Sequence, residues 1–329
     1  MEKKPYKIDI PVLLIFFCRD DTFQQVFDAV KEARPSKLYL YQDGARENNK
    51  NDAKGIQKCR EIASNIDWEC EVHKMFQEKN YGCDPSGFIA DQWFFSNVEY
   101  GIVLEDDVVP SQSFFPFCLE LLQKYRNDER INLICGMNNQ EISDNIEASY
   151  FFTKKGSGWG WASWSRVVLK WDEKYSWIRN QNDTNNLRNQ FRNDYEFTTY
   201  MNTVKRHIES KRAHFESIGG IDVYLYNRLN IVPKYNLTTN VGLSEVATHA
   251  VSDLRVYPKK MQKLFFMKRY DLDFPLKHPK YVMEDEWFAK RMEKTRLSDS
   301  KLRIEHGIRV IRYNGLFGLF KIIKSKIKR

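Results

Sequence analysis

The sequence predicts an α/β fold: a mostly parallel central sheet flanked by helices, with an aromatic-rich lobe attached. Three observations predict it. Short apolar runs alternate with segments of helical period over residues 1–110, reading β-α-β-α-β-α-β. That alternation calls for parallel strands joined by right-handed crossovers. From Tyr150 the character changes, and four tryptophans (Trp159, Trp161, Trp164 and Trp171) stand among glycines and serines.

Ile10 to Phe17 (IPVLLIFF) is continuously apolar, as a strand covered on both faces requires. Asp20 or Asp21 is suited to cap a helix whose Phe23, Val26, Phe27 and Val30 share a face. Lys37 to Gln42 forms the second strand, ended by the turn pair Asp43-Gly44. A helix over Ala53–Asn65 follows, with Ile56, Cys59 and Ala63 in register, and a third strand lies around Glu69–His73. The loop Glu78–Gly87 opens a helix carrying Ile89, Trp93 and Phe94. Beyond Pro110 come a helix with Phe114, Phe117, Cys118, Leu121 and Tyr125, and a strand over Ile131–Cys135. The second half reads as a helical stretch near Tyr195–Lys211, then Ser217–Leu229, then strand-like sequence over Asn230–Asn240.

The segment Tyr100–Pro110, YGIVLEDDVVP, carries the strongest chemical signal. An apolar strand ends abruptly in Glu105, Asp106 and Asp107. Adjacent carboxylates repel one another, and burial penalises their ionised forms. The triplet is best tolerated against a cation or a hydrogen-bonding polyol, and ligands of open α/β sheets collect at the carboxyl ends of strands. A Mg²⁺ or Mn²⁺ ion needs only one or two carboxylates plus substrate phosphates. Asp43 ends the second strand on the same sheet edge, as an acceptor for a base or ribose or as an ordinary turn residue. Arg19, after the first strand, faces a diphosphate or solvent. FFCRDD has neither the dinucleotide-binding glycine spacing nor a P-loop, which disfavours both enzyme classes.

Trp159 and Trp161 in GWGW either pack in the core or offer flat faces beside close-approaching backbone, suited to sugar rings or bases. Asp222, in SIGGIDVYL, is a helix cap or a general base for an acceptor hydroxyl. His249 is a metal ligand, a diphosphate contact or a structural histidine. In the C-terminal GLFGLFKIIKSKIKR, Leu316, Leu319, Phe320, Ile323 and Ile327 share one helical face opposite Lys321, Lys324 and Lys328. That pattern reads as an anchor on an anionic membrane surface, or as a helix docked on the protein's own core with a solvated basic edge.

The chain has 329 residues, 42% hydrophobic and 14% aromatic, with a net charge of +8. The basic surplus suits anionic partners without choosing among them. No apolar run reaches spanning length and no secretory leader opens the sequence, so a cytoplasmic protein, peripheral at the inner membrane face, is expected. Its six cysteines form no CxxC pair and read as reduced thiols.

Taken in order, PVLLIFF, KLYLYQDG, EKNYGC, GIVLEDDVVPSQSFFPFC, GWGWASW, NIVPKYNLTTNVG and EVATH resemble bacterial nucleotide-sugar transferases of GT-A fold, related to the N-acetylglucosaminyltransferase I family. The resemblance spans roughly residues 10–250. It implies a GT-A-like nucleotide-diphospho-sugar transferase fold over residues 1–250, with a nucleotide-binding half (1–110), an acceptor half (111–250) and an extension over 251–329. It also implies an inverting, Mn²⁺- or Mg²⁺-dependent transfer from a UDP-sugar to a glycan or lipid-linked acceptor in surface polysaccharide or lipooligosaccharide synthesis. By position, Asp107 and His249 would hold the metal, Asp106 would meet ribose or sugar, Glu105 the donor sugar and Asp43 the uracil. Asp222 falls on a WDYQW-like segment whose acid is the base, although Ile221 and Leu225 stand where relatives carry aromatics. Nucleic acid is not expected as a partner. The rival readings are a sugar nucleotidyltransferase without its glycine loop, a metal-dependent nuclease, and a non-catalytic membrane-associated nucleotide-sugar-binding protein.

Overall fold

The computed structural model describes residues 3–47, 49–243, 254–295 and 299–327. The strands are β1 (Ile8–Phe16), β2 (Pro35–Gln42), β3 (Glu71–Phe76), β4 (Tyr100–Glu105), β5 (Val108–Pro110), β6 (Ile131–Cys135), β7 (Tyr150–Thr153), β8 (Trp161–Trp164), β9 (Leu229–Pro233) and β10 (Thr238–Asn240). The helices of the first half are α1 (Asp20–Ala33), α2 (Lys50–Ser64), α3 (Cys83–Asn97) and α4 (Phe114–Lys124). Those of the second are α5 (Ser165–Val168), α6 (Gln181–Arg188), α7 (Asp194–Ser210), α8 (Phe215–Gly220), α9 (Asp222–Leu225), α10 (Lys259–Gln262), α11 (Glu286–Thr295) and α12 (Asp299–Ile327).

Eight strands form one sheet in the order β3-β2-β1-β4-β8-β6-β9-β7, while β5 and β10 pair as a separate antiparallel ribbon. The expected α/β architecture is present. Strands β3, β2, β1 and β4 are mutually parallel, as the βα alternation requires. Strand β8 enters antiparallel between β4 and β6, and β7 lies antiparallel against β9. One face is covered by α1 and α4 through Phe16, Phe23, Phe27, Phe114 and Leu121. The other carries α3 and the aromatic lobe through Tyr39, Phe94, Phe95, Trp161 and Trp171.

Several boundaries differ from the sequence reading for local reasons. Arg19, not an aspartate, is the N-cap of α1, and Asp20 and Asp21 lie in its first turn, where they meet the positive end of the helix dipole. Helix α2 starts at Lys50 because the Asn49 side chain accepts from the Asn51 N–H. Strand β3 is displaced toward the C-terminus because Trp68 is fully buried, its Nε1 donating to the Pro35 carbonyl at 2.8 Å. The apolar stretch after Asn230 is two strands in different sheets. Between them, Asn236 donates to the Thr238 and Lys268 carbonyls and so takes the chain out of the main ladder.

The segment expected as an extension is laid along the sheet. Glu284 bridges to Phe152, Phe265 bridges to Asn240, Leu276 belongs to the main core, and Phe288 packs on Phe151 at 4.6 Å. Among the described residues no helix is long and apolar enough to cross a membrane.

Candidate functional site

Strand β4 delivers its acids to the sheet edge between β1 and β8. The apolar residues Ile102, Val103 and Leu104 are buried, so the strand cannot slip, and the turn at Asp106-Asp107 must open where the ladder ends. Asp106 and Asp107 are themselves mostly buried. Arg19 resolves much of the resulting repulsion. Its Nη2 donates to Asp106 and, at 2.8 Å, to Asp107 Oδ2. Asp106 also accepts from the Phe17 N–H at 3.1 Å, and Asp107 Oδ1 from Asn240 Nδ2 at 3.2 Å. The Asp107 carbonyl accepts from the Val241 N–H, tying the triplet to the strand that follows β10. There Gly242 lies so close that a methyl group on it would sit 2.1 Å from Asp107 Oδ2.

One guanidinium against two carboxylates leaves the pair net negative. Burial, reinforced by Asp107 and Asp106, pushes Glu105 up to about 8, and burial raises Asp106 despite Arg19. Two hard carboxylate oxygen donors with residual negative charge suit a divalent ion completed by substrate oxygens, so Asp106 and Asp107 fit a Mg²⁺ or Mn²⁺ ion. No group of three or more His, Cys, Asp or Glu side chains placed to hold an ion by itself occurs among the described residues. His249 lies outside the described residues.

Asp43 is placed on the expected edge, but its carboxylate is already engaged. Oδ1 accepts from the Gly44 and Tyr81 N–H groups, and Oδ2 from the Gly82 N–H and Asn80 Nδ2, all within 3.0 Å. It anchors the loop at 80–82 beside the site.

The aromatic residues fall as expected only in part. Trp161 is buried, stacked on Phe95 and tilted on Trp171, both at 5.9 Å. Trp159 is half-buried against Phe265 at 4.9 Å. Both line a cavity of about 550 Å³, together with Trp171, Tyr224, Lys155 and Glu216.

Asp222 does not join this group. It is buried against the guanidinium of Arg228, which also holds Glu129, and it lines a different cavity of about 660 Å³ with Lys170, Asp172 and Trp177. Burial pushes it up to about 7, with Arg228 and Lys170 opposing.

Glu216, which the sequence reading does not single out, lines the cavity with the tryptophans. It lies in the first turn of α8, is raised by burial and by Asp84, and is close enough to add to the upward push on Glu105. Its seat depends on Gly87 of α3, where a methyl group would stand 2.7 Å from the Phe215 ring.

No protein-family profile matches the chain, and no curated protein matches it in sequence. Among solved structures, 4-diphosphocytidyl-2C-methyl-D-erythritol synthase from Anaerococcus prevotii DSM 20548 aligns with 59% of this chain and 84% of its own, at 11% identity and a TM-score of 0.34. UDP-glucose pyrophosphorylase complexed with UDP-glucose aligns with 44% of this chain and 63% of its own, at 13% identity and a TM-score of 0.26. Similarity at that distance says nothing of activity, which the site's own residues must carry.

Proposed function

We propose that this chain is an inverting glycosyltransferase of GT-A-like fold, dependent on a divalent metal. It moves a sugar from a nucleotide-diphospho-sugar, a UDP-sugar, to a hydroxyl of a glycan or lipid-linked acceptor in surface polysaccharide or lipooligosaccharide synthesis. The observation that carries the reading is the acid triplet at the end of β4, clamped by Arg19, with Glu216 near enough to raise Glu105 and itself lining the cavity that Trp159 walls.

Arg19 lies where it can turn from the carboxylates toward a donor diphosphate, and its fork suits phosphate oxygens. A Mn²⁺ or Mg²⁺ ion held by Asp107 and Asp106 would supply charge neutralisation for the leaving nucleoside diphosphate. Glu105, with its raised pKa, is a hydrogen-bonding partner for the donor sugar's hydroxyls. Trp159 offers its half-buried face to the acceptor ring, and Trp161, buried on Phe95 and Trp171, backs the wall behind it. Glu216 takes the proton of the acceptor hydroxyl as its oxygen bonds to the anomeric carbon and the carbon–phosphate-oxygen bond breaks. Attack from the face opposite the leaving group inverts the anomeric centre. A carboxylate raised above its ordinary value is the stronger base for this step.

The test compares Glu216→Gln with Asp222→Asn, with UDP release measured over a panel of nucleotide sugars in the presence of Mn²⁺. Glu216→Gln lowers kcat by about 10²–10⁴ while UDP still binds; Asp222→Asn keeps turnover within a few-fold of the parent. The reverse pattern overturns the assignment of the base. Release of pyrophosphate instead of UDP identifies nucleotidyl transfer and overturns the glycosyl-transfer reading.

A further inference from the structure

The charge surplus of the chain is concentrated at one end. Residues 299–329 hold nine Lys or Arg against two acids, leaving the rest nearly neutral with 43 basic residues against 42 acidic. This end is α12, which bends at Gly315 (φ 66, ψ 179). Among the described residues, its first half is docked through one side. Val310 is fully buried, His306 Nδ1 lies 2.9 Å from the Val256 carbonyl, Glu305 accepts from the Lys259 N–H, and Arg309 Nη1 donates to the Arg255 carbonyl. That docking turns Ile304, Ile308 and Ile311 outward.

These three isoleucines are spaced four and three apart, so they form a straight stripe on one helical face. They are 63%, 61% and 41% exposed, although an isoleucine is among the residues most often buried. Lys301 and Arg312 flank the stripe on one side of the helical wheel and Arg303 on the other, by the 100° step of a helix. An apolar stripe bordered by cations, on the one strongly basic element of a neutral body, is complementary to an anionic bilayer surface. It is poorly matched to a second copy of itself, which would bring like charges together.

We propose that the Ile304–Ile308–Ile311 face of α12 docks in the interface of an anionic lipid bilayer, so that the membrane contact begins within the described helix and not only in the basic tail. The proposal goes beyond the glycosyltransferase reading and does not depend on it.

The test sediments the full chain with phosphatidylcholine vesicles, with and without phosphatidylglycerol, and compares it with the double variant Ile304→Glu, Ile308→Glu. Both side chains are exposed, so the variant keeps the parent's circular dichroism and melting temperature in solution. The expected result is binding that needs phosphatidylglycerol, weakens with added salt, and falls at least tenfold in the double variant. Equal sedimentation of parent and variant, or binding indifferent to phosphatidylglycerol, overturns the proposal. A dimer seen by light scattering that the double variant dissociates also overturns it, by assigning the stripe to a second copy.

Discussion

Replacing Gly242 by alanine perturbs the site by a predictable amount. The added methyl would stand 2.1 Å from Asp107 Oδ2 and 3.0 Å from Arg19 Nη1. Ordinary contact between such atoms begins near 3.4 Å, so Asp107 and the strand behind it must part by about 1 Å. Asp107 has little freedom to give. Its carbonyl accepts from Val241, its Oδ1 from Asn240, and its Oδ2 from Arg19, and Asn240 is itself held by the Gly242 N–H at 2.8 Å. A misplacement of about 1 Å in a catalytic constellation costs on the order of 10²-fold, and overpacking of this kind costs about 1–3 kcal/mol of stability. The assay is kcat/KM for UDP-sugar turnover with Mn²⁺, alongside thermal unfolding. Gly307→Ala is the control, because nothing lies within 4 Å of its added methyl and helix propensity favours alanine by about 1 kcal/mol. Parent-level turnover in folded Gly242→Ala would show that the Arg19–Asp107 clamp does not position the donor.

Two further outcomes follow from the same charges. Arg19→Ala leaves Asp106 and Asp107 buried without their cation; because Arg19 is itself nearly half exposed, the loss is about 2–3 kcal/mol, below the usual range for a fully buried pair. Mn²⁺ raises the melting temperature of that variant more than it raises the parent's, and an equal response in the two proteins would argue against a divalent ion at these carboxylates. Asp222 has a folded pKa of about 7 against an ordinary 3.8, so its protonated form favours the folded state. Its contribution is complete below pH 4 and is lost as pH rises toward 7, by at most about 4 kcal/mol. Unfolding of Asp222→Asn should lack that decline, and matching pH profiles of parent and variant would refute the assignment.

The first half of the fold was legible because its local signals agree with one another. Ile10–Phe17, the helix face through Phe23, Val26, Phe27 and Val30, and the strand before Glu105 each carry one period and meet one sheet. The second half was legible only in part: β6 and α7 fall where the sequence places them, but the remaining strands are short and placed by distant partners. Nothing in WASW says that it will enter antiparallel between β4 and β6, since a strand of four residues takes its place from its neighbours. Asn236 divides the last strand pair through a carbonyl at Lys268, more than thirty residues away, and that contact has no signature in the local sequence.

The site divides along the same line. Glu105, Asp106, Asp107 and Arg19 were legible because acids placed against a buried strand demand compensation, and the nearest cation follows the neighbouring strand in β1-β4 pairing. Asp43 shows the limit of that logic. A carboxylate at a strand end must find donors, but the sequence does not say whether a ligand or a loop provides them, and here the backbone at 81 and 82 came first. Asp222 and Glu216 differ only in direction. Six residues apart on consecutive short helices, they open into different cavities, and Arg228 claims the one while the strand-end acids feel the other. Residue type and spacing nominate both acids equally. What separates them is packing: at Gly87 an added methyl would stand 2.7 Å from the Phe215 ring, so the missing side chain lets Phe215 lie against α3 and brings its neighbour Glu216 with it.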